Sequence, residues 1–361
     1  MRIAMLTNFK KTIPSPPGSI YAPGMIIGAL TDGLVARGHE VTLLAGRESE
    51  TTAQLESFGY PSTYVEFGGL GVNPEAELQR ELFALAQVVR RANTGEFELI
   101  HAHDHRRALF FAPTSSVPML FSNPGNPEDL EPEYNADRLK AFRESAWFVT
   151  TTEWQRSLFG NAIRHLATIP YGIDVERFEF VSQPGAQFLY SGRLIPRKGV
   201  DTAVELVRHL EGSLDIFGQP GTSQADQEFW LGVERTLRDP SIQFHGHLPY
   251  ERIHQTYGRY RALVLPLRES ESFGMVMVEA MACGTPVIVF DVGGVREIVT
   301  DGVTGFVVPP GNLEAFRGAM ERIDSIDRAA CRAHALEQFS LERMVERYEA
   351  AYQTLLAKEQ R

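Results

Sequence analysis

Short apolar strands alternate with amphipathic helices along this chain, and the alternation runs through twice. "RIAMLTN" (2–8), "VTLLAG" (41–46), "FELIHAH" (97–103), "VPMLFS" (117–122), "WFVTTT" (147–152) and "LATIPYG" (166–172) read as buried strands. Between them, 25–40 reads as a helix stopped near Gly38, and 75–93 as a helix with a wide apolar stripe. Strands apolar on both faces and spaced by helices require a parallel sheet covered on both sides. The segment "RFEFVSQPGAQ" (177–187), with Pro184-Gly185, reads as a linker. The rhythm then restarts with the strand "AQFLYSG" (186–192) and a helix over 201–212, closed by Gly212. "SLDIFG", "SIQFHG", "RALVLPL" and "TPVIVFD" follow as strands, and the tail 340–361 is one last helix. A chain of 361 residues is also too long for one ordinary core. The expected fold class is α/β, with two doubly wound Rossmann-like domains over 1–178 and 179–340.

Charge narrows the partners. The net charge is −11. Residues 1–180 hold 16 basic and 22 acidic side chains, so the acidity is spread over both halves. That argues against nucleic acid and against strong association with anionic membranes. The apolar opening is too short for a signal segment, and no stretch approaches about 18 uninterrupted apolar residues. Two cysteines, Cys283 and Cys331, with no CxxC spacing, imply a reduced, cytoplasmic setting.

In doubly wound sheets ligands bind beyond the carboxyl ends of strands. After the strand ending at Ser191-Gly192, "YSGRLIPRKGVD" (190–201) places Arg193 and Lys198 on one short loop. A planar fork and a point charge suit a pair of phosphates; a solvated basic loop is the plain alternative. After "RALVLPL", the run "RESESFGMVMVEAMACG" turns and then enters a helix closed by Gly284. Ser272 is the expected N-cap, and the amides of Phe273, Gly274 and Met275 offer an anion site at the helix start. Glu271 and Glu279 lie eight apart across that turn. Each carboxylate suits vicinal sugar hydroxyls, or is an ordinary solvated acid. In "ELIHAHDHRRA" (98–108), His101, His103 and His105 share a strand face, which raises zinc. The spacing falls one residue short of the metallo-hydrolase H-x-H-x-D-H. No metal is therefore expected, and His103 at the strand's end is the histidine placed to meet a ligand.

Together these segments resemble the retaining glycosyltransferases of family four, which have the GT-B fold. The resemblance is clearest over 166–310. It rests on "IPYGIDVERF" (169–178), "YSGRLIPRKGVD", "ESESFGMVMVEAMACGTPVI" (269–288), with the family's E-x7-E element, and "GGVREIVTDGVTGFVVPPGN" (293–312). In the first half the match is thinner: "MRIAMLTN", "GLVARGHEVTLL" and "LIHAHD". The resemblance implies that Glu279 binds the ribose of a nucleotide sugar. Glu271, with the Phe273 and Gly274 amides, is implied to bind the transferred hexose. Arg193 and Lys198, beside Gly192, are implied to neutralise the diphosphate. His103 is placed near the reacting sugar and the acceptor, Leu248 meets the base through its backbone, and the tail helix 341–361 packs back on the first domain. Two departures fall in the half that selects the acceptor. The family's Gly-Gly turn falls at Tyr21-Ala22, with Gly18 and Gly24 the nearest glycines, and "SNPGNPEDLEPEY" (122–134) lacks the family's frequent histidine.

The implied reaction is metal-independent hexosyl transfer, with retention, from a nucleoside diphosphate sugar to a hydroxyl. UDP-glucose is the first expectation and GDP-mannose the second. The nucleotide sugar is a co-substrate, and no cofactor is expected. The acceptor is unknown, with a soluble small molecule or glycan favoured. A GT-B-fold epimerase and a non-catalytic nucleotide-sugar-binding subunit are the rival readings.

Overall fold

The structure is a computed structural model and describes residues 1–16, 22–67, 73–103, 106–122, 136–235, 237 and 239–359. The chain divides into two compact units, one of Met1–Gly172 with Leu341–Arg361, the other of Ile173–Ser340.

The first unit holds seven strands: β1 Arg2–Leu6, β2 Glu40–Leu44, β3 Gln54–Glu56, β4 Leu99–His103, β5 Met119–Ser122, β6 Ala146–Thr150 and β7 Arg164–Thr168. All pair in parallel, in the order β3-β2-β1-β4-β5-β6-β7. Its helices are α1 Ala22–Ala36, α2 Thr63–Glu66, α3 Pro74–Asn93, α4 Ala136–Ala141 and α5 Glu153–Phe159, with a 3-10 helix over Arg106–Thr114. The apolar stripe of α3 does what its spacing demands. Ala84, Leu85, Val88, Val89 and Ala92 are buried in one cluster with Ala4, Leu6, Ile100 and Ala102 of the central strands.

The second unit repeats the plan: β8 Phe188–Ser191, α6 Val200–His209, β9 Leu214–Phe217, α7 Gln224–Glu234, β10 Ile242–Gly246, α8 Tyr250–Thr256, β11 Ala262–Leu265, α9 Met275–Ala282, β12 Val287–Phe290, α10 Val295–Ile298, β13 Gly305–Val308, α11 Leu313–Arg322 and α12 Arg328–Phe339. Its strands, also all parallel, run β10-β9-β8-β11-β12-β13. In both sheets the order reverses beside the unit's first strand, between β1 and β4 and between β8 and β11. That reversal opens the crevice in which such sheets hold ligands.

The last helix, α13 Leu341–Glu359, belongs to the first unit. It buries Met344, Val345, Tyr348, Tyr352 and Leu355. Glu349 pairs with Arg37 (2.9 Å) and His39 (3.0 Å), and the Trp147 indole donates to Glu359 (2.8 Å).

The boundary expected at 178/179, and the linker expected over 177–187, are corrected. The Ile173 amide donates to Phe339 O (2.9 Å), the Glu179 amide to His254 O (2.9 Å) and the Val181 amide to Cys283 O (3.2 Å). The Arg332 guanidinium donates to Phe178 O (2.6 Å), and that of Arg328 to Val181 O (2.6 Å). The segment is thus stitched into the second unit, and the chain passes between units at Gly172-Ile173.

Tyr21 and Gly18 lie outside the described residues, as do Asp104, His105 and 123–134; Ala22 and Gly24 lie in the first turn of α1. Among the described residues, no helix is long and apolar enough to cross a membrane.

Candidate functional site

The loop between β8 and α6 is built from below. Tyr190 is fully buried, and its hydroxyl faces the carbonyls of Arg193 (3.3 Å) and Lys198 (3.2 Å). One donor thus pins both ends of the cationic loop. Gly199 closes it in the left-handed region, φ 70°; a Cβ there would lie 2.0 Å from Pro266 O, so only glycine allows this approach to the strand-β11 loop. Arg193 is exposed, and its guanidinium has no partner among the described residues. Gly192 follows β8 directly, its amide donating to Phe217 O (3.1 Å).

Lys198 forms an ion pair with Glu271. Glu271 is held through its backbone. The Gly294 amide donates to its carbonyl (2.8 Å), and Gly293, at φ 68°, lies so close that a Cβ would sit 2.3 Å from that oxygen. The two glycines after β12 therefore position the acid after β11.

The helix start differs from expectation. Ser272 does not cap α9; Gly274 does, in the left-handed region (φ 79°, ψ 68°), with no side-chain cap bond. Phe273 is the cause. Its side chain is buried against Phe339, ring centroids 5.8 Å apart, and this anchor draws the chain inward before the helix begins. Helix α9, starting at Met275, so begins without the side-chain acceptor that usually takes up a first-turn amide.

Glu279 is not an ordinary exposed helix position. It is only 7% exposed, and its carboxylate has no hydrogen bond or ion pair among the described residues. Burial pushes it up to about 7. Its charge also helps hold the buried Tyr257 hydroxyl above the usual range, after burial itself, and that hydroxyl bonds Ser191 Oγ at the end of β8 (2.5 Å). Leu248 lies in the loop between β10 and α8, its side chain buried; its backbone N–H and C=O have no partner among the described residues.

In the first unit His103 ends β4. Its Nδ1 lies 2.7 Å from Ser122 Oγ at the end of β5. The neighbouring His101 is fully buried, its ring centroid 3.8 Å from that of His103, and its Nδ1 lies 2.7 Å from the Tyr352 hydroxyl. Burial and the adjacent His103 hold His101 well below the usual imidazole range. His103 and Ser122 line a cavity of about 10 Å³, room for roughly one water, with Pro23, Ile26, Tyr171 and Tyr348.

The structure thus gathers Gly192, Arg193, Lys198, Glu271, Gly274 and Glu279 around the carboxyl ends of β8 and β11. His103 stands at the corresponding reversal of the first sheet. Sequence reasoning did not assign roles to Tyr190, Tyr257, Gly293, Ser122 or Tyr348. Only Gly293 carried a signal, as half of a Gly-Gly pair directly after a strand.

Two family models match in tandem: Glycosyltransferase Family 4 over residues 24–177 and Glycosyl transferases group 1 over 174–335. A glycogen synthase of Mycobacterium tuberculosis is 27% identical, with 90% of this chain and 87% of the relative aligned. A D-inositol 3-phosphate glycosyltransferase of Frankia alni is also 27% identical, over 88% of each chain. Among solved structures, sucrose-phosphate synthase from Thermosynechococcus elongatus superposes with a TM-score of 0.75 at 22% identity, covering 99% of this chain and all of that one. Anabaena HepE, solved with UDP and glucose, gives 0.70 at 16% identity, over 98% of this chain and 100% of its own. With both halves matched in order and the strand order repeated in two parallel sheets, the chain belongs to the family-four glycosyltransferases of GT-B fold.

Proposed function

We propose that this glycosyltransferase moves a hexosyl group from a nucleoside diphosphate sugar to a hydroxyl, with retention at the anomeric carbon and without a metal. The carrying observation is the Glu279 side chain, buried, with a carboxylate that has no hydrogen bond or ion pair among the described residues. Such a group is costly to keep unless a ligand supplies donors, and a ribose diol supplies two. The neighbouring groups then divide the rest of the donor. Arg193 and the uncapped start of α9 take the diphosphate, and Leu248 offers backbone groups to the base.

The Lys198–Glu271 pair is the arrangement of the free protein. On donor binding each partner is exchanged: Lys198 turns to phosphate, Glu271 to hydroxyls of the hexose. As the C–O bond breaks, negative charge grows on the leaving oxygen. Arg193, Lys198 and the helix start are the groups that stabilise it. The leaving phosphate takes the acceptor proton as the acceptor oxygen attacks the same face of the sugar, so no carboxylate nucleophile is needed. His103 is the residue of the first unit proposed to act in the reaction.

UDP-glucose is the proposed donor, ahead of GDP-mannose; Anabaena HepE has been solved with UDP-glucose. A small molecule or a glycan is the proposed acceptor. The test is thermal unfolding against UDP-, GDP- and ADP-sugars. A donor at 100 times its Kd stabilises by about 2.7 kcal/mol, read as a rise in Tm. A rise with UDP-sugars that Glu279→Ala removes supports the reading; no rise with any of them overturns it.

A further inference from the structure

We infer that Arg268, in the loop after β11, is a positioning residue for Lys198: it grips the cationic loop on both sides of that lysine and keeps it in place when Glu271 releases it. The inference rests on the proposed exchange of the Lys198–Glu271 pair for a diphosphate and a hexose. The Arg268 guanidinium donates to Asp201 Oδ2 (2.6 Å) and to Thr202 Oγ1 (2.7 Å), and it lies 3.5 Å from Pro196 O. Its backbone amide donates to Arg197 O (2.9 Å). A single residue after β11 thus bonds the chain just before Lys198 and just after it.

Arg268 differs from Arg193 in what its charge faces. Arg193 is exposed and has no hydrogen bond or ion pair among the described residues. Arg268 is neutralised by Asp201, and its fork is shared with Thr202, so it is not a cation held open for phosphate. A planar fork reaches several acceptors at fixed angles, which an ammonium on a flexible stem does not. Asp201 lies in the first turn of α6, where the helix dipole favours a carboxylate and the acid offsets the guanidinium.

The loop after β8 meets the loop after β11 in further ways. Gly199 approaches Pro266 O so closely that a Cβ would lie 2.0 Å away, and Lys198 pairs with Glu271. Of these ties, the ion pair has to open for Lys198 to turn to phosphate. The Gly199 approach is one of shape; Arg268 supplies hydrogen bonds that remain. With side chains 42% and 36% exposed, the Arg268–Asp201 pair adds little to global stability. What it adds is local order, so that the cost of ordering the loop is not drawn from donor binding.

The test uses the full chain and begins without a ligand. The amides of Lys198, Gly199 and Ala203 donate to the carbonyls of Ile195, Pro196 and Gly199 (3.0, 3.2 and 3.0 Å). Arg268→Ala should speed hydrogen exchange at these amides about five- to tenfold, the effect of about one hydrogen bond at an exposed ion pair. The Asp291 amide, which donates to Val308 O (2.8 Å) in the same unit, should exchange as in the wild type. Arg268→Lys, which keeps the charge but not the fork, should fall between. Unchanged exchange in the loop, or an equal rise at Asp291, overturns the inference. These readouts need no donor, so they stand apart from failure of the donor assignment. With UDP and uridine as probes, Arg268→Ala should weaken UDP about five- to tenfold and leave uridine within about twofold. In a Lys198→Ala background the same substitution should weaken UDP by less than about twofold, because the lysine it positions is gone. An equal loss in both backgrounds, or for both probes, overturns the role.

Discussion

At the reversal of the second sheet the Glu279 side chain lies buried and Arg193 exposed, neither charge with a partner among the described residues, and a helix starts without a side-chain cap. At the reversal of the first sheet two imidazoles lie against each other, each bonded to a hydroxyl. The strand order is the same on both sides, apart from one further strand, β7, in the first sheet. The difference teaches what each crevice is built for. The second keeps charged groups whose partners must arrive with a ligand. The first spends one nitrogen of each imidazole on a hydroxyl, which fixes ring orientation.

The comparison breaks most readily at Arg193. If its free guanidinium serves the leaving diphosphate, Arg193→Ala should cost about 2.7–4 kcal/mol in the transition state, a fall of roughly 10²–10³ in kcat. The variant should keep the wild-type Tm, because the exposed side chain makes no hydrogen bond or ion pair among the described residues that would be lost. Steady-state kinetics beside a melting curve checks both; an unchanged kcat ends the diphosphate role.

Glu279 should show the opposite split between binding and stability. Its folded-state carboxyl titrates at about 7 against an ordinary 4.5. Between those values the folded protein holds a proton that the unfolded chain has released, so stability falls as pH rises from about 4.5 to 7 and is level above. The fall is about 3 kcal/mol at most, read from the size of the shift. Glu279→Gln should flatten that slope and raise Tm at pH 8. It should also weaken donor binding by about 1.5–3 kcal/mol, the range for hydrogen bonds to a charged group. Donor affinity of the wild type should increase through pH 7 as the carboxylate ionises. A variant that loses stability at pH 8 would mean that the side chain is a partnered core group, and the contrast between the units would fail.

Gly293 tests how firmly the second site is prepared. Gly293→Ala forces a Cβ against the Glu271 backbone at a positive φ. The expected cost is about 1–3 kcal/mol of stability, measured by chemical denaturation, with a fall in kcat as Glu271 shifts. Wild-type stability would show that the turn adapts and that Glu271 is not held by it.

What the sequence displays follows the same division. Strands β4 and β8 and helices α3 and α6 were legible because they are apolar runs or stripes with clear ends. Edge strands β3 and β13 were not: one is three residues long and partly exposed, the other opens on Gly305. Arg193, Lys198, Glu271 and Glu279 stood out because charge directly after a strand is conspicuous. That Glu279 is buried was not visible, since a helical glutamate is usually solvated. Ser272 misled because a serine before a helix normally caps it, and the packing of Phe273 on Phe339 joins residues far apart in the chain. Tyr190 and Tyr257 carry no spacing that marks a role; their hydroxyls acquire meaning only through partners such as Ser191, 66 residues from Tyr257.

The smallest expected effect concerns the floor beneath the cationic loop. Tyr190 is wholly buried, and its hydroxyl faces two loop carbonyls at the longer end of hydrogen-bonding distance. Tyr190→Phe keeps the ring and removes the donor. The net loss should be about 0.5–1.5 kcal/mol of stability, and kcat should fall by less than for Arg193→Ala, because the cations remain. If the loop is held ready before the donor arrives, the variant should bind donor more slowly and more weakly at unchanged salt dependence, since no charge is lost. If donor binding alone orders the loop, association and affinity should match the wild type and only the melting temperature should move. The first result extends the contrast to the backbone, with a second unit that leaves its charges free but not its chain. The second confines that contrast to side chains.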